Sequence, residues 1–104
     1  MKQQTISKAI SYEGAGLHSG LPVQMRILPS EPNTGITFVR TDLPGTPSVK
    51  ADIRNVTNTM RATTLEEGEA KVFTVEHILA AFYGMAIDNC IIELNSPEPP
   101  IADG

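Results

Sequence analysis

A carboxylate and an imidazole, those of Glu76 and His77, stand side by side where the sequence predicts the first turn of a helix. Thr74 is suited to cap that helix by accepting a hydrogen bond from a free backbone N–H. The apolar stripe of the helix consists of Val75, Ile78, Leu79, Phe82 and Ala86. Glu76 and His77 lie off this stripe, and the positive end of the helix dipole favours an ionised carboxylate and a neutral imidazole. The pair is therefore suited to metal chemistry, with a base beside an imidazole able to bind zinc.

The same pair also has an ordinary structural interpretation. Thr before a helix and Glu in its first turn are common features of helix starts and need no function. A single His on a helix is more often a surface or boundary residue than a metal ligand. The segment differs from the H-E-x-x-H zinc motif, because no second His follows one turn later. Local physics leaves both interpretations open.

Further short motifs follow one another along the whole chain. They are Gly14-Ala15-Gly16-Leu17-His18-Ser19-Gly20, Pro32-Asn33-Thr34-Gly35-Ile36, Arg40-Thr41-Asp42-Leu43, Asn58-Thr59-Met60, Gly84-Met85-Ala86-Ile87-Asp88-Asn89 and Pro97-Glu98-Pro99-Pro100-Ile101-Ala102-Asp103-Gly104. Together with the helical segment 74–81, these motifs resemble the N-terminal domain of the zinc-dependent UDP-3-O-acyl-N-acetylglucosamine deacetylases of lipid A biosynthesis. The resemblance spans essentially the whole chain, and several ordered motifs are far more specific than any one of them.

The resemblance implies a catalytic role for one residue of the pair and a metal role for the other. Glu76 would be the catalytic base, and His77 would be one of three protein ligands of a zinc ion. In the family the other two ligands are a later His and Asp, and a further His is the general acid. The chain contains only two histidines, His18 and His77. We therefore expect the remaining zinc ligands and the general acid in a second catalytic domain that is absent here.

The resemblance also implies a binding site for an acylated UDP-N-acetylglucosamine substrate. It places Leu17 and His18 beside the active site and Met60 in a substrate-cleft loop. Arg61 and Ala62 depart from the family pattern, which commonly has apolar residues or Cys at these two positions. Considered without the resemblance, the glycine-flanked loop around His18 favours a histidine on the surface.

Composition indicates a small globular domain and argues against nucleic-acid binding. Eight basic and twelve acidic residues in 104 give a net charge of −4, and the basic residues are scattered singly. No basic stripe of the kind that nucleic acids require is present in the sequence. Cys90 stands alone in an apolar run, which favours packing over disulfide formation. The sequence shows neither a secretory signal nor a transmembrane segment, so we expect a cytoplasmic protein.

The first half of the sequence is typical of strands. Apolar and polar residues alternate at 5–12 and again at 23–28, and a third strand is predicted at 36–40. Three successive strands suggest an antiparallel meander. The segment 51–56 is compatible with either a short strand or an irregular connection.

The second half predicts a hairpin, a helix and a final strand. Residues 61–65 and 70–73 flank the acidic turn 66–69, whose carboxylates we expect at a solvated tip. A long helix is predicted from about Val75 to Met85. The strand 88–94 follows, and one of its faces carries Cys90, Ile92 and Leu94.

These elements predict an α+β fold in which one mostly antiparallel sheet is crossed by a helix. The resemblance implies a two-layer sandwich with a second helix beyond Gly104. Asp103 would be a good N-cap for that helix, so residues 1–104 are expected to be a truncated N-terminal domain, inactive alone. Two alternatives remain at this point: a short protein whose tail packs back on its sheet, and a noncatalytic binding or assembly module with the same fold.

Overall fold

The computed structural model describes residues 5–16, 20–58, 63–73 and 75–100 and confirms the α+β class. Eight strands and one α-helix are formed by these residues, with a short 3₁₀ helix at Ile53–Asn55. In chain order they are β1 (Ile10–Ala15), β2 (Pro22–Pro29), β3 (Ile36–Arg40), β4 (Ser48–Lys50), β5 (Val56–Asn58), β6 (Thr64–Glu67), β7 (Ala70–Phe73), α1 (Glu76–Gly84) and β8 (Cys90–Leu94).

The strands form two sheets. The larger has the order β1-β2-β8-β3-β4, and the smaller has the order β5-β6-β7. All paired strands are antiparallel except β3 and β8, which are parallel and place Phe38 opposite Ile92. The sheet structure is therefore mostly antiparallel, as the sequence predicts, but it is divided in two.

The predicted meander is wrong, because β8 lies between β2 and β3. The core face of β8 is fully buried, and its other face is half-buried at Ile91 and Glu93, so this strand suits the centre of a sheet. The connection from β2 to β3 passes the end of β8 and is fixed there by Asn89. The Oδ1 atom of Asn89 accepts hydrogen bonds from the amides of Thr34 (3.1 Å) and Gly35 (2.8 Å).

The first strand begins later than the alternation at 5–12 predicts. Pairing between β1 and β2 starts with Ile10 opposite Ile27. Continuing that register would place Lys8 opposite Pro29, which has no backbone N–H to donate to a ladder. Thr5 instead forms an isolated parallel bridge with Asn89.

The predicted hairpin is confirmed in its described part as β6 and β7, joined at Gly68 and Glu69. Gly68 has a φ of 60°, the left-handed conformation that glycine adopts without steric cost. The acidic residues of the tip are exposed. The segment that the sequence left undecided becomes the 3₁₀ helix and the start of β5. The three-residue strand β4 was not predicted.

A hydrophobic cluster joins both sheets and the helix. From α1 and its start it includes Val75 and Phe82, which are 0% and 2% exposed. The other members are Val23, Met25, Phe38, Val49, Leu65, Ala70, Val72, Cys90, Ile92 and Leu94. The predicted inward face of the last strand is thus confirmed, and Cys90 is a packing residue. Burial raises the pKa of its thiol to about 11.

The helix has nine residues, fewer than the eleven predicted. It ends because Ala86 has a φ of 58°, and the amide of Ile87 donates to the carbonyl of Phe82 at 3.0 Å. This is the pattern of a Schellman C-cap, with alanine at the left-handed position where glycine is usual. Among the described residues, no helix has the length and apolar character needed to span a membrane.

Candidate functional site

Glu76 is the first residue of α1, and its carboxylate is held by the backbone of a neighbouring segment. The Oε1 atom of Glu76 accepts a hydrogen bond from the Thr63 amide at 3.1 Å. The Val75 amide in turn donates to the Thr63 carbonyl at 3.3 Å. The main chain of Thr63 therefore contacts both the entry of the helix and the side chain of its first residue.

The helix begins one residue later than the sequence predicts. The carbonyl of Val75 accepts the first helical hydrogen bond, from the Leu79 amide at 3.1 Å, so Val75 occupies the N-cap position. Its buried side chain anchors this end of the helix in the core. Thr74, the predicted cap, lies outside the described residues.

His77 is the second residue of α1, so its backbone lies in the same first turn as Glu76. This agrees with the predicted position of the pair at the N-terminal end of the helix. Across the residues that the structure describes, no three or more His, Cys, Asp or Glu side chains gather into a group able to hold a metal ion. The assignment of His77 as a zinc ligand stays a prediction.

Leu17, His18 and Met60, the predicted substrate residues, lie outside the described residues. The described residues on either side of Leu17 and His18 are joined by a hydrogen bond, which the Gly20 amide donates to the Gly16 carbonyl at 2.9 Å. Gly16 also forms an antiparallel bridge with Pro100.

The segment Ser96–Pro100 contacts both Gly16 and the end of β7. Its Pro97 carbonyl accepts a hydrogen bond from the Phe73 amide at 2.9 Å, at the end of β7 just before the helix. Its other end, Pro100, pairs with Gly16. Three prolines restrict the backbone of this segment. Gly16, which precedes the predicted substrate residues, and the end of β7 before α1 are therefore attached to one short, stiff connection.

Two features of this region are not evident from side-chain patterns in the sequence. The contact of Thr63 with Glu76 uses a backbone amide, which every residue except proline possesses, so no side-chain pattern signals it. Glu98 is 0% exposed, although charged residues are rarely fully buried. The signal in the sequence is the position of Glu98 between Pro97 and the pair Pro99-Pro100.

Comparison with known proteins identifies one family along nearly all of the chain. The family model described as UDP-3-O-acyl N-acetylglycosamine deacetylase matches residues 3–104. A UDP-3-O-acyl-N-acetylglucosamine deacetylase of Nostoc sp. is 48% identical over 104 residues, covering 100% of this chain and 37% of the relative.

Two further relatives give the same result. A UDP-3-O-acyl-N-acetylglucosamine deacetylase of Anaeromyxobacter sp. is 48% identical over 104 residues, covering 98% of the chain and 33% of the relative. The bifunctional enzyme LpxC/FabZ of Chlorobaculum tepidum is 48% identical over 102 residues, covering 98% of the chain and 22% of the relative. The chain thus spans between about a fifth and two fifths of the length of these relatives.

Proposed function

Because the chain belongs to the UDP-3-O-acyl N-acetylglycosamine deacetylase family, we propose that it is the N-terminal part of a zinc-dependent hydrolase of lipid A biosynthesis. The proposed reaction removes the N-acetyl group from UDP-3-O-acyl-N-acetylglucosamine. The observation that carries the proposal is the 48% identity with a deacetylase of that name over all 104 residues. The position of Glu76 at the helix entry supports the catalytic role assigned to it.

His77 is the residue of this chain that we assign to zinc. A neutral imidazole is a common zinc ligand, and a catalytic zinc site uses three protein ligands. The other two ligands are proposed to come from a further domain of the longer protein, as the resemblance to the family implies. When bound, zinc supplies a Lewis acid that polarises the acetamide carbonyl and makes water more acidic.

Glu76 supplies the base. Glu76 is half-buried and is the first residue of α1, and a carboxylate there can act as a general base that takes a proton from water. The water oxygen forms a bond to the acetamide carbon, and the carbon–nitrogen bond then breaks. Acetate leaves, and the sugar nitrogen becomes an amine. The acid that protonates this nitrogen is expected outside the 104 residues.

Leu17, His18 and Met60 are proposed to contact the substrate. The support is indirect and comes from their described neighbours. Thr63, which follows the Met60 segment, donates a hydrogen bond to Glu76. Gly16, which precedes Leu17, forms a β-bridge with the segment Ser96–Pro100, and the same segment accepts a hydrogen bond from the end of β7. The described residues next to both proposed substrate segments are thus linked, directly or through the segment Ser96–Pro100, to the chain that enters the helix carrying the base.

The domain organisation is also part of the proposal. Residues 1–104 would form most of an N-terminal domain with a two-layer arrangement, completed by a second helix and followed by a second deacetylase domain. A nucleotide-sugar substrate places the enzyme in the cytoplasm.

Acetate release tests this function. A protein that carries this chain at the length of its relatives is incubated with UDP-3-O-acyl-N-acetylglucosamine or with UDP-N-acetylglucosamine lacking the acyl chain. We expect acetate mainly from the acylated compound, loss of activity with a chelator, and recovery on adding zinc. A folded, zinc-loaded protein that releases no acetate would contradict the proposal and favour the noncatalytic module.

A further inference from the structure

We propose that the backbone N–H of Thr63 is a positioning group for the base, holding Oε1 of Glu76 so that Oε2 is the oxygen that takes the proton from water. This inference rests on the proposed function. It adds a residue to the site and assigns different tasks to the two oxygens of one carboxylate.

The geometry that supports the inference is a pair of hydrogen bonds on one residue. The Thr63 amide donates to Oε1 of Glu76 at 3.1 Å, and the Thr63 carbonyl accepts from the Val75 amide at 3.3 Å. The second bond fixes the distance between the Thr63 main chain and the start of α1. The first bond then fixes the carboxylate relative to the same main chain.

Thr63 is itself held firmly. It directly precedes β6, whose first two residues, Thr64 and Leu65, are 5% and 2% exposed. These residues pair with Phe73 and Val72 of β7. The donor is therefore directly attached to a packed hairpin, whereas a glutamate side chain alone has several accessible rotamers and considerable entropy to lose. A rigid donor is suited to selecting one of those rotamers.

The hydrogen bond from Thr63 also distinguishes the two carboxylate oxygens of Glu76. In the part of the chain that the structure describes, Oε1 is the bonded oxygen of Glu76. The bond that Oε1 accepts from the Thr63 amide restricts rotation of the Glu76 carboxylate. The same bond therefore also sets the direction in which Oε2 points.

Replacing the Thr63 amide by an ester tests the inference, because the ester removes the N–H donor and keeps the threonine side chain. The replacement is made in a protein of the relatives' length, with the α-hydroxy analogue of threonine at position 63. The matched control places the same analogue at Thr41, whose amide donates to the Leu94 carbonyl at 2.8 Å. Both variants lose one backbone donor, but only one of them loses a contact with the base.

We expect kcat of the Thr63 ester to fall about 10–100-fold, the loss typical of groups that orient active-site residues. KM for the acylated substrate and zinc content should stay near those of wild type, and the Thr41 ester should keep the wild-type kcat. Equal kcat values for the two esters would overturn the inference. The variant Glu76→Gln separates the two proposals. If Glu76→Gln keeps full turnover, the assigned base is wrong. If Glu76→Gln is inactive while the Thr63 ester keeps the wild-type kcat, only the positioning role is wrong.

A second measurement does not depend on the ester folding. With ¹⁵N-threonine labelling, Glu76→Ala should shift the Thr63 amide proton resonance upfield and speed its exchange with solvent, because the carboxylate acceptor is lost. The Thr41 resonance should not move. An unchanged Thr63 resonance and exchange rate in this variant would show that the hydrogen bond does not exist in solution.

Discussion

Two substitutions that break the ion pair between Arg40 and Asp42 should lower the free energy of unfolding by unequal amounts, because the two side chains differ in burial. The Arg40 guanidinium donates to both carboxylate oxygens of Asp42, from Nε at 2.8 Å and from Nη2 at 2.6 Å. Its Nη1 donates to the Lys71 carbonyl at 2.9 Å, which connects β3 to β7 across the two sheets. The Arg40 side chain is 8% exposed, and that of Asp42 is 31% exposed.

The cost of each substitution follows from the charge that it leaves behind. Asp42→Ala leaves a nearly enclosed guanidinium whose remaining acceptor among the described residues is the Lys71 carbonyl, and an uncompensated buried charge costs about 3–5 kcal/mol. Arg40→Met leaves a carboxylate that water already reaches, and it also removes the cost of burying arginine. The loss there should be about 1–3 kcal/mol, the value of hydrogen bonds to a charged group. Asp42→Ala should therefore destabilise the fold more than Arg40→Met.

Urea unfolding of the 104-residue chain at neutral pH measures both costs, and the double variant gives the coupling between the two side chains. Arg54→Met is the control, because Arg54 pairs with Asp52 while its own side chain is 86% exposed, and its unfolding midpoint should match that of wild type. A larger loss for Arg40→Met than for Asp42→Ala would refute the argument from burial.

Four further outcomes are expected. Arg40 lowers the pKa of Asp42 below its usual 3.8, so the stability that this carboxylate contributes is fully present above pH 3.8 and is lost as the pH falls towards the lowered pKa; acid titration of unfolding should be steeper for wild type than for Arg40→Met. Cys90 is 0% exposed and burial raises its pKa to about 11, so thiol reagents at pH 8 should label it only after urea is added, and rapid labelling of the folded chain would contradict this. Ala86→Gly should raise the free energy of unfolding by about 1 kcal/mol, since glycine adopts the φ of 58° without the steric cost that alanine has there; a destabilised variant in urea would count against the C-cap. Calorimetry should detect no submicromolar zinc binding to the 104-residue chain, because His77 with a nearby carboxylate offers fewer than three protein ligands; tight binding lost in His77→Ala would show that further ligands are present.

Local signals in the sequence predicted the elements that depend on local chemistry. The hairpin β6-β7 was predicted because residues 61–65 and 70–73 flank a polar turn that contains Gly68, and the buried face of β8 because its apolar residues alternate. The start of α1 was predicted to within one residue from the apolar spacing after Val75. In each case the signal in the sequence lies within a few residues along the chain.

The elements that were missed depend on partners far away in sequence. Nothing near β2 or β3 indicates that β8 separates them, because the choice of strand partner is made by burial in the complete sheet. The strand β4 has three residues, too few for an alternating pattern to be distinguished from a loop. The same limit applies at the site, where Glu76 was found from its side chain but its backbone partner Thr63 was not.

The most direct test of the proposed function compares Glu76→Gln with His77→Ala in a protein of the relatives' length, measuring zinc content and acetate release on the same samples. Glu76→Gln keeps the size of the side chain but removes the base, so zinc content should stay near that of wild type while turnover falls by about 10²–10⁴. His77→Ala should lose zinc together with activity. Wild-type turnover by zinc-loaded Glu76→Gln would contradict the assignment of the base, and full zinc content in His77→Ala would contradict the assignment of the ligand.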